Sequence, residues 1–382
     1  MDVVTLGESM VTFLPSRPGR LADVPSFDRG IGGAESNVAC GLAAAGHCAK
    51  WVSRVGADGF GRHLVERIAA RGVDTSAVRI DPSRPTGIYF RTAGERALVA
   101  DASSARGVGG ASRAQGTEDL REPDAVDGAY GGAEEDSPAE VVYYRSGSAA
   151  SAMSPANMPG EEIRSGRVLH LSGITAALSD DCLALLRDLT APRPGRPLVS
   201  FDVNYRVDLW HDRTEAGGTL LDLARGSDLV FVGADEAEAA WGVTGGPAAI
   251  RATLPEPRVL VVKEGARGAT VFERGGTGPA QGTGPDTVTY APALHVDVVA
   301  HVGAGDAFAA GFLSATLRGL PVRDRIRHGH LMAAAALTVP GDLAAPATRE
   351  HADRLVALDD GAWGTLRLGP GWTRANEEVR TP

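Results

Sequence analysis

Short apolar, β-branched runs alternate along this chain with Ala/Leu-rich segments of helical period, and this alternation constrains the fold more than any other feature. Parallel strands must be joined by long crossovers, usually helices, so the pattern predicts a layered α/β protein with a mainly parallel central sheet. Apolar runs at 3–6, 51–55, 168–171, 198–202, 229–232 and 259–262 suit strands covered on both faces. Helices are predicted at 36–45, 61–71, 180–189, 219–224, 234–241 and 306–317. A chain of 382 residues can build one large domain of this kind, or a domain with an accessory.

A second group of strands, at 10–14, 78–80, 87–92 and 141–145, falls between polar or Gly/Pro-rich turns. These predict a small separate sheet, a lid over the carboxyl edge of the main one, where open α/β sheets bind ligands. Residues 102–140 break the pattern: Val108, Leu120 and Val126 are their only Val, Leu or Ile. Such a segment buries little, and a low-complexity insertion in the lid is expected, with 275–286 similar on a smaller scale. The domain is expected to span 1–372, with 373–382 a flexible tail.

The 38 Lys+Arg against 48 Asp+Glu give a net charge of −10, which disfavours nucleic acid and anionic lipid as partners. Cys40, Cys48 and Cys182 show no metal-ligand or redox spacing and read as small buried residues in a reducing compartment. Residues 1–8 lack the basic start and apolar middle of a signal peptide, and no apolar run is long enough to cross a membrane. A cytoplasmic location is the expectation.

Chemistry is concentrated at two glycine turns. In Gly303-Ala304-Gly305-Asp306 a turn enters an Ala-rich helix with an acid at its start. Free backbone N–H groups and the helix dipole there would hold a phosphate, and the Asp306 carboxylate is placed to take a proton from an attacking hydroxyl. An isolated motif of this kind is equally an Asp cap at a Gly turn. The other turn, Gly32-Gly33-Ala34-Glu35-Ser36-Asn37, also enters a helix; its glycines allow close approach of a ligand and Asn37 both donates and accepts.

In their residues, order and separation, these two motifs resemble the two signatures of the ribokinase-like carbohydrate kinase family. The likeness runs from about residue 3 to 342, apart from the insertion. Thr86-Gly87-Ile88-Tyr89-Phe90, Tyr143-Tyr144-Arg145-Ser146-Gly147-Ser148-Ala149-Ala150 and Phe201-Asp202-Val203-Asn204-Tyr205-Arg206-Val207-Asp208-Leu209-Trp210 are most similar to its 2-keto-3-deoxygluconate kinase branch. The resemblance implies a three-layer α/β/α sandwich with a β-sheet lid and phosphorylation of a sugar acid by ATP with Mg²⁺. It implies Asp306 as general base, and substrate contacts from Tyr89, Tyr143, Arg145, Arg206 and the turn of Gly33, Ala34, Glu35, Ser36 and Asn37. Two guanidiniums suit a carboxylate, although each singly reads as well as a structural ion pair. ATP would lie along Lys263, Gly265 and Gly268, with Asn204 near the phosphates, and reach Gly303, Ala304 and Gly305. Glu236 would orient Mg²⁺ through water, and homo-oligomers formed through the lid are compatible with the likeness.

The chain departs from the family in two places. Ala300 stands where the second signature usually begins with Asp, which puts potassium dependence in doubt; Gly233 stands where the Asn of an Asn-x-x-Glu motif is expected. His301, in the same loop, reads as a solvated histidine. Alternatives left open are another ribokinase-like kinase, for a neutral sugar or a nucleoside, and a sugar-acid sensor weakened in transfer. A nicotinamide-dependent dehydrogenase is disfavoured because no Gly-x-Gly-x-x-Gly follows the first strand.

Overall fold

The computed structural model describes residues 1–17, 19–92, 97–101, 139–210, 212–275 and 284–374. Its central sheet has eight strands, in the spatial order Asp286–Pro292, Gly268–Arg274, Val259–Lys263, Leu229–Gly233, Leu198–Asp202, Val168–Ser172, Val3–Leu6, Ala49–Val52. The last six run parallel; Gly268–Arg274 and Asp286–Pro292 add an antiparallel edge. All four residues of Val3–Leu6 and all five of Val168–Ser172 and Leu229–Gly233 are buried, as expected for strands covered by helices on both faces.

Successive residues of a strand point to opposite faces, which splits the core in two. Val4 and Leu6 pack with the helices Asp180–Thr190, Arg213–Arg225 and Ala234–Trp241. Val3 packs on the other side with Ala34–Ala44 and Ala304–Leu317, whose Phe308 and Phe312 meet Phe231 edge to face. The expected three-layer sandwich is present. The chain leaves Val3–Leu6 for Ala49–Val52 on one side and later adds Val168–Ser172 on the other, so the strand order reverses there. Such a switch point opens a crevice at the carboxyl ends of the strands.

The lid is a five-stranded sheet in the order Phe27–Gly32, Met10–Pro15, Ile88–Arg91, Ala139–Tyr144, Ala97–Asp101. Its membership corrects the sequence reading. The 78–80 run overlaps Arg79–Asp81, which pairs with Arg54–Gly56 in a separate two-stranded sheet, while Phe27–Gly32 and Ala97–Asp101 join the lid instead. The 51–55 run is divided between Ala49–Val52 and Arg54–Gly56. Residues 139 and 140 belong to a lid strand, whereas 102–138 of the expected insertion, 276–283 and the tail 375–382 lie outside the described residues. Cys40 and Cys182 are buried, but Cys48 is exposed, contrary to expectation. No helix among the described residues is long and apolar enough to cross a membrane.

Candidate active site

Four sequence-predicted or neighbouring groups sit at the carboxyl ends of parallel strands because each ends its strand or follows it within two residues. Glu8 follows Val3–Leu6 by two residues; Asp202, Gly233 and Lys263 end Leu198–Asp202, Leu229–Gly233 and Val259–Lys263. The two glycine turns enter the same crevice from the helical layer. Asn37, in Ala34–Ala44, donates through Nδ2 to Oδ2 of Asp306, in the first turn of Ala304–Leu317, at 2.8 Å.

Gly303 caps that second helix in the left-handed region, with φ 77°, and a Cβ there would lie 2.5 Å from the Asp342 carbonyl oxygen. Glycine is required on both counts. The first turn of any helix leaves N–H groups without intrahelical partners, and here they belong to Ala304, Gly305 and Asp306. The Lys263 ammonium lies 3.6 Å from where a Gly305 Cβ would stand. Glycine, free N–H groups and a lysine together make a cradle suited to a phosphate.

The charges around the cradle are coupled. Lys263 Nζ binds both oxygens of Asp202, at 3.1 and 2.9 Å. Burial works against its ammonium, yet the carboxylates of Asp202 and Glu236 hold its pKa above the ordinary value. Burial likewise raises the Glu236 carboxyl, against the pull of Lys263, and raises Asp306 from 3.8 to about 7, against the hydrogen bond from Asn37. A carboxyl poised near neutrality, half-buried beside an anion cradle, suits a general base.

Glu236 accepts from Gly233 N–H at 2.7 Å, and its other oxygen lies 3.5 Å from Arg206 Nη1. Arg206 also donates to the Tyr205 carbonyl at 3.2 Å, and its side chain is 55% exposed. Among the described residues no group of three or more His, Cys, Asp or Glu is arranged to hold a metal alone. Asp202 and Glu236 fit an ion that arrives hydrated on a nucleotide, since Mg²⁺ keeps several waters and needs few carboxylates. Asn204 has φ 42°, the one non-glycine with positive φ among the described residues; it is buried and its N–H bonds Asp202 at 3.2 Å.

Several predicted side chains have other duties. Glu35 is fully buried and accepts from the Ser172 and Thr175 hydroxyls, each at 2.7 Å. Ser36 bonds Ser9 and the Gly33 carbonyl, and Ala34 is buried; Gly33 is needed because a Cβ would meet Glu8 O at 2.4 Å. Arg145 forms an ion pair with Glu8, which also accepts from Ser148 at 2.6 Å. Its guanidinium carbon lies 5.7 Å from the centre of the Tyr143 ring, which in turn lies 5.3 Å from that of Tyr89. The Tyr89 hydroxyl donates to Asp342 at 2.8 Å. Gly265 is exposed with open space around it, whereas a Cβ at Gly268 would strike Ala291 O at 2.3 Å, so close strand pairing requires glycine at 268. His301 is exposed.

Glu8 and Asp342 carry no role in the sequence reading, and Asp202 enters it only within the 201–210 motif. Glu8 and Asp202 carried a signal, an acid at the carboxyl end of an apolar run; Asp342 carried none.

The model of the pfkB family of carbohydrate kinases matches residues 1–106 and 132–349. A 2-dehydro-3-deoxygluconokinase of Bacillus subtilis is 32% identical over 357 residues, covering 92% of this chain and 94% of that protein. One from Thermoproteus tenax is also 32% identical, with 94% and 95% covered. Among solved structures, a PfkB protein from Polaromonas sp. JS666 is 30% identical, with a TM-score of 0.69 and coverage of 92% of this chain and 99% of that one. With an anion cradle, a poised carboxylate and this extent of likeness, the chain belongs to the pfkB family and is a carbohydrate kinase.

Proposed function

We propose that the chain transfers the γ-phosphoryl group of ATP to the terminal hydroxyl of 2-keto-3-deoxygluconate, the sugar acid also called 2-dehydro-3-deoxygluconate, giving its 6-phosphate and ADP. The observation that carries the phosphoryl-transfer part is Asp306, raised to about 7 within a cradle of helix N–H groups and Lys263. Asp306 accepts the hydroxyl proton as the oxygen attacks phosphorus in line, and the bond to the ADP oxygen breaks. The N–H groups of Ala304, Gly305 and Asp306 and the Lys263 ammonium face the charge that develops on the transferring group. Mg²⁺ bound to the nucleotide would neutralise phosphate charge, its waters held by Glu236 and Asp202.

The acid part rests on Arg206, Arg145 and Tyr143 and on the printed names of two relatives at 32% identity. One observation favours a second reading, a neutral sugar: Glu8 already neutralises Arg145. Incubation with Mg-ATP and either 2-keto-3-deoxygluconate or fructose, with phosphorus NMR of the products, separates the two. A phosphate ester on the keto acid supports the first reading; one on fructose alone replaces it with the second.

A further inference from the structure

Asp342 lies in the loop that follows the helix Val322–Leu337, and it is 8% exposed. Its Oδ2 accepts from the Tyr89 hydroxyl at 2.8 Å, and its Oδ1 lies 3.0 Å from Arg91 Nη2, which also donates to Pro340 O at 3.1 Å. Tyr89 and Arg91 are two residues apart on the lid strand Ile88–Arg91, so they project from the same face and reach one carboxylate together. Gly32, at the end of another lid strand, closes on the same pair: a Cβ there would lie 2.4 Å from both Asp342 Oδ2 and the Tyr89 oxygen.

The same residue supports the anion cradle through its backbone. A Cβ at Gly303 would stand 2.5 Å from Asp342 O and 3.3 Å from its Cα, so the turn rests directly on this loop. Just upstream, Val299 and Ala300 N–H both bond Leu337 O, at 2.7 and 3.3 Å, while Ala300 contributes only a methyl group. Asn37, Ala307 and Asp342 also share the wall of a 20 Å³ cavity beside the helix start. The lid and the two glycine turns therefore converge on one loop whose side chain is fixed by the lid.

We propose that Asp342 is a positioning residue for phosphoryl transfer: its carboxylate, gripped by Tyr89 and Arg91, holds the loop on which the Gly303 turn is seated. Asp342 itself touches no reacting atom. It acts on the orientation of the Ala304–Asp306 N–H groups, which governs the rate of transfer more than the binding of either substrate. The inference rests on the carbohydrate kinase activity and is independent of which sugar is accepted.

The test compares the wild-type chain with Asp342→Ala, Asp342→Asn and Tyr89→Phe by hydrogen-exchange mass spectrometry over 299–307, together with kinetics on whichever sugar the wild type phosphorylates. Asp342→Ala is expected to speed exchange in 299–307 about tenfold. It should lower kcat about tenfold, with both KM values within about twofold of wild type. Asn still accepts from Tyr89 and should recover part of both losses, whereas an alanine-like Asn variant contradicts the role. Tyr89→Phe, which alters nothing in 299–307, should speed exchange there as well and serves if Asp342→Ala fails to fold. Exchange over 299–307 at the wild-type rate in the variants, or a loss confined to KM, overturns the proposal. The exchange readout needs no substrate, so failure on the keto acid leaves it decisive.

Discussion

Asn37 and Asp306 stand 269 residues apart and share a 2.8 Å hydrogen bond from Nδ2 to Oδ2 across the crevice. That contact joins the starts of two helices, each entered by a glycine turn, and sets the orientation of the carboxyl that faces the cradle. The amide pulls the Asp306 pKa down, but burial prevails and leaves it near 7. Asn37 thus orients the Asp306 carboxyl without fully stabilising its charge.

Replacing Asp306 by Asn keeps the shape and removes the proton acceptor. Turnover should fall by about 10²–10⁴, the usual contribution of a positioned base, with the KM for ATP little changed. Steady-state kinetics at saturating sugar check this. A variant with near-normal turnover removes Asp306 from the base role.

The same carboxyl predicts a pH dependence. The proposed base role requires the ionised form, so kcat/KM should rise with pH through about 7 and then level off. The rising limb should be absent from the residual activity of Asp306→Asn. Rate profiles between pH 5 and 9 test both statements, and a limb that persists in the variant assigns it to another group.

Stability should move the other way. The folded-state pKa of Asp306 is raised above its ordinary 3.8, so its favourable contribution is complete below about pH 4 and lost as pH climbs through about 7. Asp306→Asn should therefore be more stable than wild type at pH 8, by on the order of 1 kcal/mol, with the gap closing toward pH 4. Partial solvent exposure of the side chain screens this effect. Denaturation curves at the two pH values decide.

Arg145 cannot be tested singly. Its removal strands the Glu8 carboxylate, which is 1% exposed, and should cost about 3–5 kcal/mol. Pairing Arg145→Ala with Glu8→Gln should recover most of that loss. In the double variant kcat/KM on a sugar acid should fall about tenfold or more while a neutral sugar is little affected, because only the acid uses a guanidinium. Equal losses on both would make the pair structural.

The parts of this site that were legible in the sequence are those set by local pattern. Apolar runs located the parallel strands, and glycine before an Ala-rich segment located the turns at Gly33 and Gly303. What local pattern does not carry is the direction of a side chain or its distant partner. Glu35 lies in the expected turn but faces Ser172 and Thr175, and the Tyr89 hydroxyl is taken by Asp342, 253 residues away. The 78–80 run has strand composition without any mark of which sheet it joins. Phe27–Gly32 was missed because its sequence, FDRGIG, does not alternate. The helix Val322–Leu337 was missed because it buries Arg327 and His330 beside its Ala residues, leaving no apolar stripe. Arg327 is tolerated there by stacking 4.4 Å over Trp363 and donating to Val356 O.

The most direct test of function is ATP consumption by the purified chain with Mg²⁺, with and without K⁺, on 2-keto-3-deoxygluconate, fructose, ribose and adenosine. Turnover selective for the keto acid is predicted, and with Ala300 in place of the family's Asp it should be independent of K⁺. Turnover on a neutral sugar or nucleoside but none on the keto acid would contradict the acid-sugar reading.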